Sequence, residues 1–332
     1  MTPALMIAGV MLVALVLYTL TGGADFGGGV WDLLAGGPRK QAQRDLVDRS
    51  IGPIWEANHV WLILVVVLLF VCFPATFAAV STALHVPLAV MLIGVVLRGS
   101  AFAFRHYDPL HGTGAVRWGR VFALASLVTP ITLGVVLGAL SSDIAVDPHT
   151  GRVATDFVSQ WLAPFPFAVG LFTLALFAFL AAVYLTNEAE GHDLRADFRR
   201  RALASAIAVG AAALLAYLVA PPAIQSDLSA SPWALPLHLA TGAAALLAIF
   251  ALVARRDRLA RAAAAAQAAL IVLGWAASQY PYLAFPGYTI DGTAAPDSVL
   301  VPVLVALAAG GLVLVPALAY LFAVFKRPPR PA

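Results

Sequence analysis

Two carboxylates and one imidazole stand where apolar runs meet polar ones. Asp25 lies in TGGADFGGGVWDLL, residues 21–34, with five glycines around it. Glu56 and His59 lie in SIGPIWEANHVWLI, residues 50–63, and are three apart, which places them on one face of a helix. Carboxylates and imidazoles can both titrate near neutrality when partly buried, so this pairing is suited to passing protons. A plainer role is open for each acid. Glu56 near a helix N-terminus is favoured by the helix dipole, and Asp25 can be a solvated helix-end acid beside glycines that serve packing. At helical spacing Tyr18, Thr21, Gly22, Asp25, Gly29 and Asp32 share a small, polar face. Gly23 and Gly27 form a small-xxx-small pair that permits close helix approach.

Other chemistry is poorly supplied. Glu56-x-x-His59 has the form of a di-iron bundle motif, but that site needs a second such pair, and none occurs. Two facing histidines can hold a haem. Here His85 and His238 fall toward one side of the membrane and His59 toward the other. Arg98, deep in an apolar run, calls for an internal ion pair or an anionic group such as a cofactor propionate. No phosphate-binding loop, dinucleotide fingerprint or nucleophile–base arrangement is present, and no metal site is expected. A single cysteine, Cys72, excludes a disulfide framework.

These groups must be positioned by membrane helices. Of the 332 residues, 61% are hydrophobic and only 11% charged, too few to cover the surface of a water-soluble domain of this size. Nine apolar stretches, roughly 4–22, 55–73, 76–104, 117–140, 161–186, 201–220, 234–254, 260–279 and 299–325, are each long enough for a transmembrane helix. No period-two alternation suggests strands. The expectation is an all-α integral membrane protein forming a single transmembrane domain, 1–332. Within it, residues 1–140 make one four-helix bundle, 161–279 a second, and 299–325 a last helix. Eighteen of the 20 Lys and Arg residues fall in alternate loops, which puts the N-terminus outside and the C-terminus in the cytoplasm. Residues 141–160, 221–233 and 280–298 are expected to be plain connectors. No cleavable signal peptide is expected. The basic residues sit in short loops rather than one stripe, so no nucleic-acid partner is expected.

The two acid-bearing segments together resemble subunit II of the cytochrome bd-type quinol oxidases. GGADFGGGVWDLL resembles the family's first-helix pattern around an aspartate, and SIGPIWEANHVWLI its second-helix signature. LRGSAFAFRHY, with Arg98 and Arg105 seven apart, is similar to the end of its third helix. APFPFAVGL and AAVYLTNEAEG resemble its fifth more loosely. The likeness is specific over residues 20–107, weaker to about 190, and topological beyond. It implies a heterodimer in the bacterial cytoplasmic membrane with a haem-carrying subunit I, and allows small accessory subunits. The partner would hold haem b and haem d, oxidise quinol and reduce dioxygen to water. This chain would bind no cofactor directly, support the haem site and contribute to a cytoplasmic proton path through Glu56 and Asp25. Trp55, Asn58, Trp61, Arg98 and Arg105 match signature or interface positions. His59 stands where other members can have a neutral amide. A proton-coupled secondary transporter is the alternative, but few polar residues lie at the midplane of the predicted spans, which counts against a solute path.

Overall fold

A computed structural model describes residues 2–51, 55–107, 113–144, 153, 154 and 156–325; the side chains of residues 51, 55, 56, 105–107, 113–116, 315, 322, 323 and 325 lie outside the description. The chain is a bundle of helices in the order α1 (Pro3–Leu33), α2 (Lys40–Ile51), α3 (Trp55–Cys72), α4 (Pro74–Ala83), α5 (His85–Tyr107), α6 (Thr113–Leu140), α7 (Pro164–Glu188), α8 (His192–Leu218), α9 (Pro222–Ala230), α10 (Ala234–Val253), α11 (Asp257–Gln279) and α12 (Asp297–Phe325). A short antiparallel hairpin, β1 (Tyr282–Ala284) and β2 (Tyr288–Thr289), precedes α12. Among the described residues eight helices are long and apolar enough to cross a membrane, and nine when α3 and α4, bent by 117°, count as one span. This is a multi-pass membrane protein.

The first span does not stop at residue 22. α1 runs 31 residues through all five glycines, about 46 Å at 1.5 Å per residue, well beyond a hydrocarbon core of roughly 30 Å. Glycines weaken a helix by up to about 1 kcal/mol each, so tertiary contacts must hold this one. A β-carbon on Gly23 would come within 2.7 Å of the Phe177 ring, and one on Gly27 would overlap the Phe177 carbonyl oxygen. The bare backbone lets α1 lie directly on α7. On another side, Gly29 makes room for the Ser126 hydroxyl of α6. Asp25 is therefore not a helix-end acid: from Gly22 to Asp32 every residue but Ala24 is buried.

The expected third span, 76–104, is also redrawn. Pro74 starts α4 in the first turn, where a missing N–H costs nothing, and the chain breaks at Leu84 before α5 begins, with Pro87 in its own first turn. The membrane-crossing part is His85–Phe104. Two of the expected connectors carry structure, α9 and the hairpin.

α1 is central, touching α3, α6, α7, α11 and α12; α5 packs on α6, α7 on α8, and α10 on α11. At the end of the bundle where the arginine-rich loops gather, the polar helix α2 lies over α1 and α7. It buries Leu46 and Val47 against Trp31, Leu194 and Phe198. Arg39 grips Asp197 of α8 with two hydrogen bonds of 2.7 Å, and Gln43 joins them, its Nε2 donating to Asp197 at 3.1 Å and its Oε1 accepting from Arg201 at 2.7 Å. At the opposite end, residues 280–296 act as a strap. The Phe285 backbone bonds to both Leu140 and Ile144 at 3.0 Å, the Ala295 N–H donates to the Cys72 carbonyl at 2.8 Å, and Thr2 donates to Asp291 at 3.0 Å.

Candidate functional site

The site grows from the acid on α1. Asp25 is 4% exposed, and its Oδ2 accepts a short hydrogen bond from Nδ2 of Asn58, itself buried in the first turn of α3. Arg98 approaches from α5. It is 1% exposed, and its Nη2 donates to the backbone carbonyl of Asp25 at 2.9 Å while Nε donates to Ser126 Oγ at 3.2 Å. Ser126 in turn donates to the Phe122 carbonyl at 2.7 Å. The guanidinium carbon lies 4.7 Å from the centroid of Phe26 and 5.1 Å from that of Phe122, so two aromatic faces help carry the buried charge. The arginine thus meets the acid's helix through a backbone carbonyl and meets α6 through the Ser126 hydroxyl. Opposite charges sharing one dry compartment cost less than either alone.

His59 stands edge-on to Tyr18, with ring centroids 6.0 Å apart, and 5.9 Å from Phe26. Phe26 stacks on Phe177 at 6.4 Å. Trp61 packs on this aromatic cluster. The structure therefore brings Asp25, Asn58, His59, Trp61 and Arg98 together around one segment of α1. The side chains of Trp55, Glu56 and Arg105 lie outside the described residues; the backbone of Glu56 is two residues before Asn58 on α3.

Seven residues beyond Asp25, Asp32 lies on the same face of α1 and is 2% exposed. Arg44 of α2 faces it, with Nε 3.6 Å from Oδ1 and 3.4 Å from the Asp32 carbonyl. Next to it Trp31 donates to the Ala178 carbonyl at 2.8 Å, and Arg201 lies over its ring at 5.5 Å. The shared face of Asp25 and Asp32 is visible in their spacing. The parts played by Ser126 and Arg44 are not, because one serine in an apolar run and one arginine in a basic loop carry no local signal.

The histidines do not converge on one point. His59 is at the arginine-rich end, His85 packs on Phe157 at 5.1 Å at the other, and His238 lines a separate cavity. That cavity, of about 410 Å³, is mainly apolar and is lined from α1, α6, α7, α8, α9, α10 and α11, with Phe177 and Thr19 among its lining residues. Among the described residues no group of three or more His, Cys, Asp or Glu side chains is placed to hold a metal ion.

Known proteins share this fold. A chain of the bd oxidase from Geobacillus thermodenitrificans superposes with a TM-score of 0.79 over 98% of this chain and 99% of that one, at 23% identity, a likeness of fold. The cytochrome bd ubiquinol oxidase subunit 2 of Bacillus subtilis is 32% identical over 126 residues, 38% of this chain and 36% of that protein. The cytochrome bd-I ubiquinol oxidase subunit 2 of Escherichia coli K12 is 28% identical over 189 residues, 56% of this chain and 48% of that protein. The aligned parts thus span half or less of these relatives' own length. The family model for cytochrome bd terminal oxidase subunit II extends much further, matching residues 3–325. With the match running from the first turn of α1 to the end of α12, the chain belongs to the cytochrome bd terminal oxidase subunit II family.

Proposed function

We propose that this chain is the haem-free second subunit of a membrane-bound bd-type quinol:dioxygen oxidoreductase in the bacterial cytoplasmic membrane. Its partner is a haem-carrying subunit I, with small accessory subunits as further possible members of the complex. When bound in that partner, haem b and haem d supply electron transfer from quinol and the reduction of dioxygen to water. The part assigned to this chain is to brace that site and to bring in the protons that water formation consumes. By the positive-inside rule the arginine-rich end faces the cytoplasm, so Asp25 and Glu56 are positioned to take protons from that side, with His59 beside them. The observation that carries this reading is the Asn58–Asp25 hydrogen bond. It ties the acid of α1 to the α3 segment whose backbone carries Glu56, in a chain of a family of oxidase subunits. Residues 1–140 and 161–279 then serve as two four-helix bundles, with 299–325 as an added helix.

The test is purification through a tag on this chain from native membranes. The expected result is co-purification of a haem-containing partner with a reduced-state haem d absorption band and quinol-dependent oxygen uptake. A chain that purifies alone and moves a solute into liposomes overturns the reading in favour of a transporter. Within the complex, Glu56→Gln is expected to lower oxygen uptake on the order of a hundredfold, the lower end of what a positioned proton-transfer group contributes, with haem content retained. Asp25→Asn is expected to act in the same direction. Wild-type oxygen uptake in both variants rejects the relay.

A further inference from the structure

A second buried acid lies on α1 toward the arginine-rich surface. Asp32 follows Asp25 by seven residues, so its carboxylate lies on the same face of α1, about 10 Å further toward that end. It is 2% exposed, yet its facing cation, Arg44, has a side chain 34% exposed and reaches the aqueous phase. Between the two acids Gly29 leaves the helix bare, and the Ser126 hydroxyl occupies that gap. The same hydroxyl accepts from Arg98, whose Nη2 reaches the carbonyl of Asp25. Polar groups thus follow one another along this one side of α1, from Arg44 through Asp32, Ser126 and Arg98 to Asp25 and Asn58. The side facing α7 is closed by Phe177 and Ala181. The described charges close to Asp32 are Arg44 from α2, Arg201 of α8 over the neighbouring Trp31, and Arg98 of α5 further inward.

We propose that Asp32 is the outermost proton-accepting group of the chain, and that it passes protons inward to Asp25. This rests on the proton-uptake reading above. A proton from water at the arginine-rich surface is taken by an Asp32 carboxylate oxygen. It moves inward along the Ser126 side of the helix, where the hydroxyl can both accept and donate. It arrives on the Asp25 carboxylate, leaving Asp32 ionised for the next. Arg44, carried by the surface helix α2 rather than by a span, shields the acid between transfers.

The experiment uses the intact purified complex and compares Asp32→Asn, Asp32→Glu, Arg44→Gln and Asp25→Asn. Proton uptake is followed with a pH-indicator dye after an oxygen pulse onto the quinol-reduced complex. Turnover is measured from mildly acidic to alkaline pH, and complex yield and haem content are recorded alongside. Asp32→Asn is expected to slow proton uptake several-fold, most at alkaline pH, with haem content unchanged. Asp32→Glu is expected to restore uptake, and Arg44→Gln to slow it clearly less than Asp32→Asn does. If Asp32→Asn and Arg44→Gln slow uptake equally and both lower complex yield, the pair only pins α2 and the proposal fails. If Asp32→Asn matches wild type at every pH while Asp25→Asn is impaired, Asp32 is off the path and the wider reading stands. If Asp25→Asn is also unimpaired, it is the wider reading that fails.

Discussion

A single buried arginine decides much of what this site can be. Arg98 is held by a carbonyl, a hydroxyl and two aromatic faces. Removing one member of a buried charged set leaves the other uncompensated, at a cost of about 3–5 kcal/mol. Arg98→Gln is therefore expected to destabilise the purified complex by about 3 kcal/mol, read as a lowered thermal midpoint. The double variant Arg98→Gln with Asp25→Asn is expected to recover part of that loss, because contacting residues are not additive; strict additivity would show that the two do not interact. At this scale the sequence was partly legible. An arginine inside an apolar run announces a partner, and spacing alone places Asp25 and Asp32 on one face. The identity of the partner depended on helices distant in sequence: Ser126 and the Asp25 carbonyl carry no mark of their role.

The contacts of α1 with α7 and α6 are made at glycines, and the glycines are not equivalent. Gly27 meets the Phe177 carbonyl, whereas Gly9 of the same helix has nothing within 4 Å of its would-be side chain. Gly27→Ala is expected to cost about 1–3 kcal/mol or more through overpacking and to reduce recovery of assembled protein. Gly9→Ala is expected to be neutral or to stabilise by about 0.5–1 kcal/mol. Thermal unfolding in detergent distinguishes them, and equal effects would contradict the close α1–α7 packing. The surface helix α2 rests on the fork between Arg39 and Asp197, a geometry in which two parallel N–H···O bonds act together. The Asp197 hydrogen bond also raises the pKa of Arg39. Arg39→Ala is expected to speed amide exchange across residues 40–51 while leaving the spans protected, as measured by hydrogen exchange. Hydropathy could not reveal α2, since a polar helix lying on a membrane face reads as loop. It also ended α1 too early, because glycines lower apparent apolarity while their burial sustains the helix.

At the scale of the molecule, apolar length made the membrane helices legible: among the described residues eight are long and apolar enough to cross, and nine when α3 and α4 count as one span. What sequence could not supply was the way the opposite end is closed. Residues 280–296 read as a plain connector, yet their backbone bonds to the ends of α3 and α6, and Asp291 holds Thr2 at the start of α1. Those partners, Thr2, Cys72, Leu140 and Ile144, are all made before the strap. The first helices can enter the membrane one by one, but their outer ends lack these partners until synthesis has passed residue 296. Closure of this end therefore waits for the strap to be made. A chain released after α11 is expected to remain a substrate for membrane quality control even though most of its membrane-crossing helices have been made.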